Sequence, residues 1–171
     1  MTEEGRAVKR AIEKLIQKFG EASVVVEERG GGIASIIVDK ARITDVLVFL
    51  KNDPDCDFDM LTDLFGVDNH KDKPRFELIY FLNSLSNRSR LAVKVRLGED
   101  ESITTASNIW KSAEWFEREI YDMFGIQFAG HPDLRRILLD DDFKGHPLRK
   151  DFPLEGPDFD KPFIAQLSEE K

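Results

Sequence analysis

The chain has one cysteine, three histidines and no apolar run longer than about five residues, and each scarcity excludes a class of protein. A single thiol, Cys56, makes no internal disulfide, no cysteine-rich zinc site and no four-thiolate cluster. A lone thiol with only three histidines as partners reads as inert, since reactivity needs an activating environment. A membrane-spanning helix needs about twenty apolar residues, far more than Val46-Leu47-Val48-Phe49-Leu50 offers. Residues 1–5 are acidic where a signal peptide is basic, so no export signal is expected. Positive charge is also short: 25 Lys and Arg against 33 Asp and Glu give a net charge of −8. A nucleic-acid binder needs a basic footprint to displace counterions from phosphates, and the acidic balance argues against one. What is present is core material: 41 % of 171 residues are hydrophobic, enough for one domain of ordinary size.

Proline is scarce in the body and concentrated at the end. Of seven prolines, Pro132, Pro147, Pro153, Pro157 and Pro162 fall in the last forty residues. Proline removes a donor and blocks helix, so residues 126–171 are expected to form an extended tail on a body of residues 1–125. In the body, Val8, Ala11, Ile12, Leu15, Ile16 and Phe19 recur at helical spacing, and Gly20 is a C-terminal stop. Residues 22–29 and 33–39 read as strands joined through Gly30-Gly31-Gly32. A second helix is expected at 41–52, then strands at 58–67, 76–82 and 91–97, with a polar turn at 83–89. The third helix spans 113–124, with Ser112 as N-cap, Gly125 as terminator and an apolar stripe of Ala113, Phe116, Ile120 and Phe124. The order α-β-β-α-β-β-β-α gives an α+β fold, a two-layer α/β sandwich with a mixed sheet.

A search for chemistry returns no convincing active site. Gly30-Gly31-Gly32 lacks the Lys and Ser/Thr of a phosphate loop. His131 and His146 both stand in Gly-His-Pro turns. They could form a two-histidine metal site, but local hydrogen bonding is favoured, because metal ligands normally come from rigid elements. Glu117-Arg118-Glu119 with Asp122 is a dense charged cluster whose members cannot share one helical face, which points to ion pairing and recognition. No nucleophile–base pair is evident.

The tail is too apolar for a linker. It carries Phe128, Phe143, Phe152, Phe159 and Phe163 with several Leu and Ile. Ordering each residue costs about 1–2 kcal/mol, which an extended strip cannot recover by packing on itself. It could do so by wrapping a partner, with Arg135, Arg136 and Arg149 pairing to carboxylates. In the isolated chain, amides beyond Asp140 are then expected to exchange quickly.

One family shares the final third. Trp110 and Ala113-Glu114-Trp115-Phe116-Glu117-Arg118-Glu119 lead through Asp122 and Gly125 to Gly130-His131-Pro132-Asp133-Leu134-Arg135-Arg136. Gly145-His146-Pro147-Leu148-Arg149-Lys150-Asp151-Phe152-Pro153 follows. This run resembles the signature of the C subunit of respiratory complex I, the thirty-kilodalton subunit of mitochondria. Asp63-Leu64-Phe65-Gly66-Val67-Asp68 is similar to a strand of the same family, while Lys111 stands where the family has proline.

The resemblance implies a structural subunit of proton-pumping NADH:quinone oxidoreductase with no active site of its own. It implies a peripheral position on the cytoplasmic side of the bacterial inner membrane, reached only through the complex. It also implies docking on the forty-nine-kilodalton-type subunit (the D subunit), with cluster-bearing subunits B and I nearby. No catalytic, cofactor-binding or metal residue is expected, since FMN and the iron–sulfur clusters are held by other subunits. The residues assigned to folding and docking are Glu117, Arg118, Glu119, Asp122, His131, Arg135, Arg136, His146, Arg149, Asp151 and Phe152. A related reading is the homologous subunit of a membrane-bound hydrogenase or a dehydrogenase with another donor. A different one is an independent metalloprotein using His131 and His146.

Overall fold

The fold is seen in a computed structural model, which describes residues 3–27 and 32–154. Helix α1 (Glu3–Phe19) buries Val8, Ala11 and Leu15 along one stripe. It ends where Gly20 takes a left-handed φ of 84° and donates to the Ile16 carbonyl at 2.8 Å. Strands β1 (Val24–Glu27) and β2 (Ala34–Val38) pair antiparallel, as a hairpin requires. Residues 28–31 of its connection, including Gly30 and Gly31, lie outside the described residues. A short 3-10 turn, Lys40–Arg42, leads into α2 (Ile43–Asn52), with Asp39 capping it through Ala41 N–H.

Strands β3 (Met60–Asp68), β4 (Phe76–Ser84) and β5 (Ser89–Leu97) complete a five-stranded sheet in the order β1-β2-β5-β4-β3. The β2–β5 pair is parallel and the other pairs antiparallel, so the sheet is mixed, as expected. The core lies on one face, where Ile36, Leu64, Leu78, Tyr80, Leu82, Leu91, Val93 and Val95 meet the apolar stripes of the helices. Period-two alternation puts these side chains on one side.

Two short strands were not foreseen. β6 (Ser102–Thr104) and β7 (Gln127–Ala129) pair in parallel on either side of helix α3 (Ala113–Phe124). Three residues are too few for an alternation signal. Their pairing ties residues 127–129, placed by sequence in the tail, directly to the body. Ser112 precedes α3 but makes no side-chain cap; its hydroxyl donates instead to the Leu61 carbonyl at 3.2 Å, joining the helix start to β3. The helix then crosses β3 closely: a Cβ on Gly66 would stand 3.1 Å from the Phe124 ring.

Candidate functional site

Helix α3 is the spine on which the charged motif is assembled. Glu117 turns inward and has no exposed surface. Its carboxyl accepts the Thr105 hydroxyl at 2.5 Å and the Ala106 N–H at 2.6 Å, fastening the segment between β6 and α3. Burial pushes this carboxyl up to about 7, against the downward pull of those two hydrogen bonds.

Asp122, one and a half turns later, is also fully enclosed. Its Oδ2 accepts the backbone N–H groups of Ile137, Leu138 and Leu139 at 2.8–3.0 Å. Its Oδ1 accepts Arg136 Nη1 at 2.6 Å. Burial alone would raise this carboxyl, but the three N–H groups and Arg136 outweigh it and hold it below the usual carboxylate range. Arg136 also donates to the Phe143 and Gly145 carbonyls at 2.8 and 3.0 Å, so one ion pair gathers residues 136–145.

The helix end carries a second fastening. Gly125 caps α3 with a φ of 76°, and a Cβ there would stand 2.6 Å from His146 Nε2 and 2.9 Å from Arg149 Nη2. Only glycine leaves room for both side chains. Arg149 Nε donates to the Phe124 carbonyl at 2.6 Å, a cation on an unpaired helix-terminal acceptor. Its guanidinium also lies 5.3 Å from the Phe76 ring centre.

Beyond the helix, Arg75 forms a third fastening. It grips Asp68 with Nε at 2.9 Å and Nη2 at 2.8 Å, then reaches Asp151 at 2.7 Å and Glu99 at 2.8 Å. Asp68 in turn accepts the Lys150 N–H at 2.8 Å. Arg75 therefore holds Asp68 far below the usual carboxylate range, and holds Asp151 low as well.

The two histidines serve the helix ends separately. Asp133 N–H donates to His131 Nδ1 at 3.0 Å, which leaves the ring proton on Nε2 to donate to the Glu114 carbonyl at 3.0 Å. His146 Nδ1 donates to the Asp122 carbonyl at 2.9 Å. Burial, first of all, keeps His146 below the usual imidazole range. Their carbonyl partners are eight residues apart on α3, about 12 Å along the axis. The pair does not converge on one metal, and no cluster of three or more metal-ligating side chains occurs among the described residues. Cys56 is buried, which pushes its thiol up to about 12 and leaves it protonated.

The motif residues thus divide by exposure. Glu117 and Asp122, expected among the docking residues, have no surface to offer a partner and bind their own chain instead. Arg118 donates to the Arg135 and Arg136 carbonyls at 3.1 and 2.8 Å. Phe152 stacks on Phe143 with ring centres 6.0 Å apart. Glu119, Arg135 and Asp151 are exposed.

Sequence reasoning missed Arg75 and Glu99, which stand outside the motif, and it missed the exposed apolar set. Trp115, Leu138 and Leu148 are 61, 62 and 54 % exposed although their backbone is pinned. The only available signal was Trp115 falling off the Ala113-Phe116-Ile120 stripe.

Known proteins share both the sequence and the fold. The family described as "Respiratory-chain NADH dehydrogenase, 30 Kd subunit" matches residues 36–158. The NADH-quinone oxidoreductase C subunit of Geobacter sulfurreducens is 44 % identical over 161 residues, covering 93 % of this chain and 97 % of that protein. Its counterpart in Trichlorobacter lovleyi is 47 % identical with the same coverage. Among solved structures, the trypsin-resistant fragment of Nqo5 aligns with a TM-score of 0.65 at 32 % identity, covering 75 % of this chain and 99 % of that one. A chain of the archaeal membrane-bound sulfane sulfur reductase complex shares the fold, with a TM-score of 0.72 at 24 % identity over 86 % of each chain. No helix among the described residues is long and apolar enough to cross a membrane. With its motif and fold in common with these proteins, the chain belongs to the 30 Kd subunit family of respiratory-chain NADH dehydrogenase, which includes C subunits of bacterial NADH-quinone oxidoreductase.

Proposed function

We propose that this chain is a cofactor-free structural subunit in the peripheral arm of a proton-pumping NADH:quinone oxidoreductase. It docks on the forty-nine-kilodalton-type subunit near the quinone-reducing module, with cluster-bearing subunits B and I as neighbours. Electron transfer from NADH to quinone belongs to the whole complex. FMN and iron–sulfur clusters sit in other subunits, and this chain supplies none of their ligands. It is held through the complex on the cytoplasmic side of the inner membrane.

One observation carries this reading. The tail segment 136–149 is fastened to α3 by buried charge, yet it leaves Trp115, Leu138 and Leu148 facing solvent. Large apolar side chains on a pinned backbone lose little entropy on binding, which is the usual character of interface anchors. The buried charges build the surface, and the apolar residues are the contact.

The test is co-purification from a strain carrying the tagged full chain. The unaltered chain should bring down the forty-nine-kilodalton-type subunit with the rest of the complex. A Trp115→Ala, Leu138→Ala double variant should recover about tenfold less complex, while the isolated variant melts like the parent. Unchanged recovery would remove this surface from the interface.

A further inference from the structure

A group of arginines lies at the far end of the sheet from the tail fastenings. Arg6 and Arg10 stand one turn apart on α1, and Arg88 stands in the β4–β5 turn. With Ala7, Ser86 and Asn87 they line one open depression of about 650 Å³. Asp68 and Arg75, which hold the tail, flank the opposite end of β4, about 27 Å away along the strand.

These three cations are unneutralised. None of their side chains makes an ion pair or donates a hydrogen bond among the described residues, in a chain whose net charge is −8. The described carboxylates nearby have other partners, Asp57 and Asp59 within the turn itself, where Asp59 accepts the Leu85 N–H at 3.1 Å. Glu4 meets Arg90 at 3.3 Å, and Glu13 meets Lys9 at 3.7 Å. Asp55 meets Lys14 at 2.5 Å, and Asp57 accepts the Ser86 hydroxyl at 2.6 Å.

The turn itself is held in place. Asn87 donates its side-chain N–H to the Cys56 carbonyl at 3.1 Å and its backbone N–H to Ser84 Oγ at 3.3 Å. Arg88 occupies a left-handed backbone position, φ 46°, that costs a long side chain about 1 kcal/mol. Asparagine or glycine would sit there with less strain.

We infer that Arg6, Arg10 and Arg88 form a second docking site, which takes a carboxylate-rich segment of a neighbouring protein subunit. Guanidinium forks pair with carboxylates in a fixed planar geometry, and three of them around one depression match a short run of Asp or Glu. A single phosphate would leave most of so wide a depression empty. Leu85, 58 % exposed in the same turn, offers the apolar contact a protein segment would add. The inference rests on the chain being an assembled subunit, but it is independent of the tail surface proposed above.

The test uses the assembled complex. An Arg6→Lys, Arg10→Lys, Arg88→Lys chain is incorporated and treated with a water-soluble carbodiimide, which joins amines to carboxylates in contact. New cross-links, relative to the parent chain, should run from these positions to Asp or Glu of another subunit. Cross-links confined to this chain's own carboxylates, or none, would overturn the proposal. In a second arm, Arg6→Glu with Arg88→Glu should lower retention of the chain in the complex about tenfold at moderate salt, with the isolated chain still folded. Normal retention would also overturn it, as would loss of binding to phosphatidylglycerol vesicles with assembly intact. If instead the tail reading is the one at fault, the Trp115→Ala, Leu138→Ala variant assembles normally while these cross-links still form.

Discussion

Asp122 and Arg136 meet at 2.6 Å, and the aspartate side chain in that pair has no exposed surface. A buried ion pair is worth its desolvation only when the remaining lone pairs are satisfied, and here the N–H groups of Ile137, Leu138 and Leu139 satisfy them. The pair converts a proline-broken tail into a fixed surface on α3.

Replacing Asp122 should therefore cost far more than a surface charge. Asp122→Asn leaves the Arg136 charge unneutralised and sets an amide donor against either Arg136 or the backbone N–H groups. The expected loss is about 3–5 kcal/mol, read as a lower denaturant midpoint. A loss under about 1 kcal/mol would place the pair among ordinary surface ion pairs.

Glu117 predicts an unusual pH dependence. Its folded carboxyl titrates at about 7, while an unfolded glutamate titrates near about 4.3. Between these values the folded chain keeps a proton the unfolded chain has lost. Its stabilising contribution is complete below the unfolded value and is lost as pH rises to the folded one. The parent should lose on the order of 2 kcal/mol between pH 5 and 8 from this group, and Glu117→Gln should lose correspondingly less. Parallel stability–pH curves for the two proteins would show that Glu117 does not titrate there.

Asp68 predicts the opposite slope on the acid side. Arg75, first of all, holds its carboxyl low, and the Lys150 and His70 N–H groups add to this. Its contribution is full above the ordinary carboxylate value and is lost as pH falls through the lowered folded one. Asp68→Asn should cost about 2–4 kcal/mol at neutral pH and flatten the acid limb of the stability curve. An unchanged acid limb would contradict this.

Arg149 is the fastening whose loss the fold should survive. Arg149→Ala removes a bond to the Phe124 carbonyl and a contact with the Phe76 ring, worth about 1–2 kcal/mol together. The isolated chain should stay folded, while recovery of the assembled complex falls. Normal assembly with reduced turnover would instead place Arg149 closer to electron or proton transfer.

Much of the fold was legible because its elements are periodic. Leu91, Val93 and Val95 alternate, Val8, Ala11 and Leu15 follow a helical stripe, and Gly20 and Gly125 both stop helices as read. Where periodicity fails, so did the reading. β6 and β7 are too short to alternate, and the Ser112 hydroxyl chose a tertiary carbonyl over its own helix.

The larger omission concerns residues 126–154 of the tail; the rest of it, with Pro157, Phe159, Pro162 and Phe163, lies outside the described residues. Weighing an extended strip only against itself overlooked the body as a packing surface. The bonds that hold it join backbone N–H groups to carboxylates up to 82 residues away, as from Lys150 to Asp68, and no sequence pattern records them. The motif marked Glu117 and Asp122 as notable but was silent on their direction, which is inward.

Hydrogen exchange on the isolated chain tests most directly whether the motif fastens residues 136–150 to their own domain before any partner arrives. Amides of Ile137, Leu138, Leu139, Leu148 and Lys150 each donate to a buried or half-buried acceptor on the body or to α3. Slow exchange is expected at these amides without partner, lost at the first three in Asp122→Asn. Fast exchange at all five in the parent chain, slowing only in the complex, would show instead that the tail takes this form on its partner.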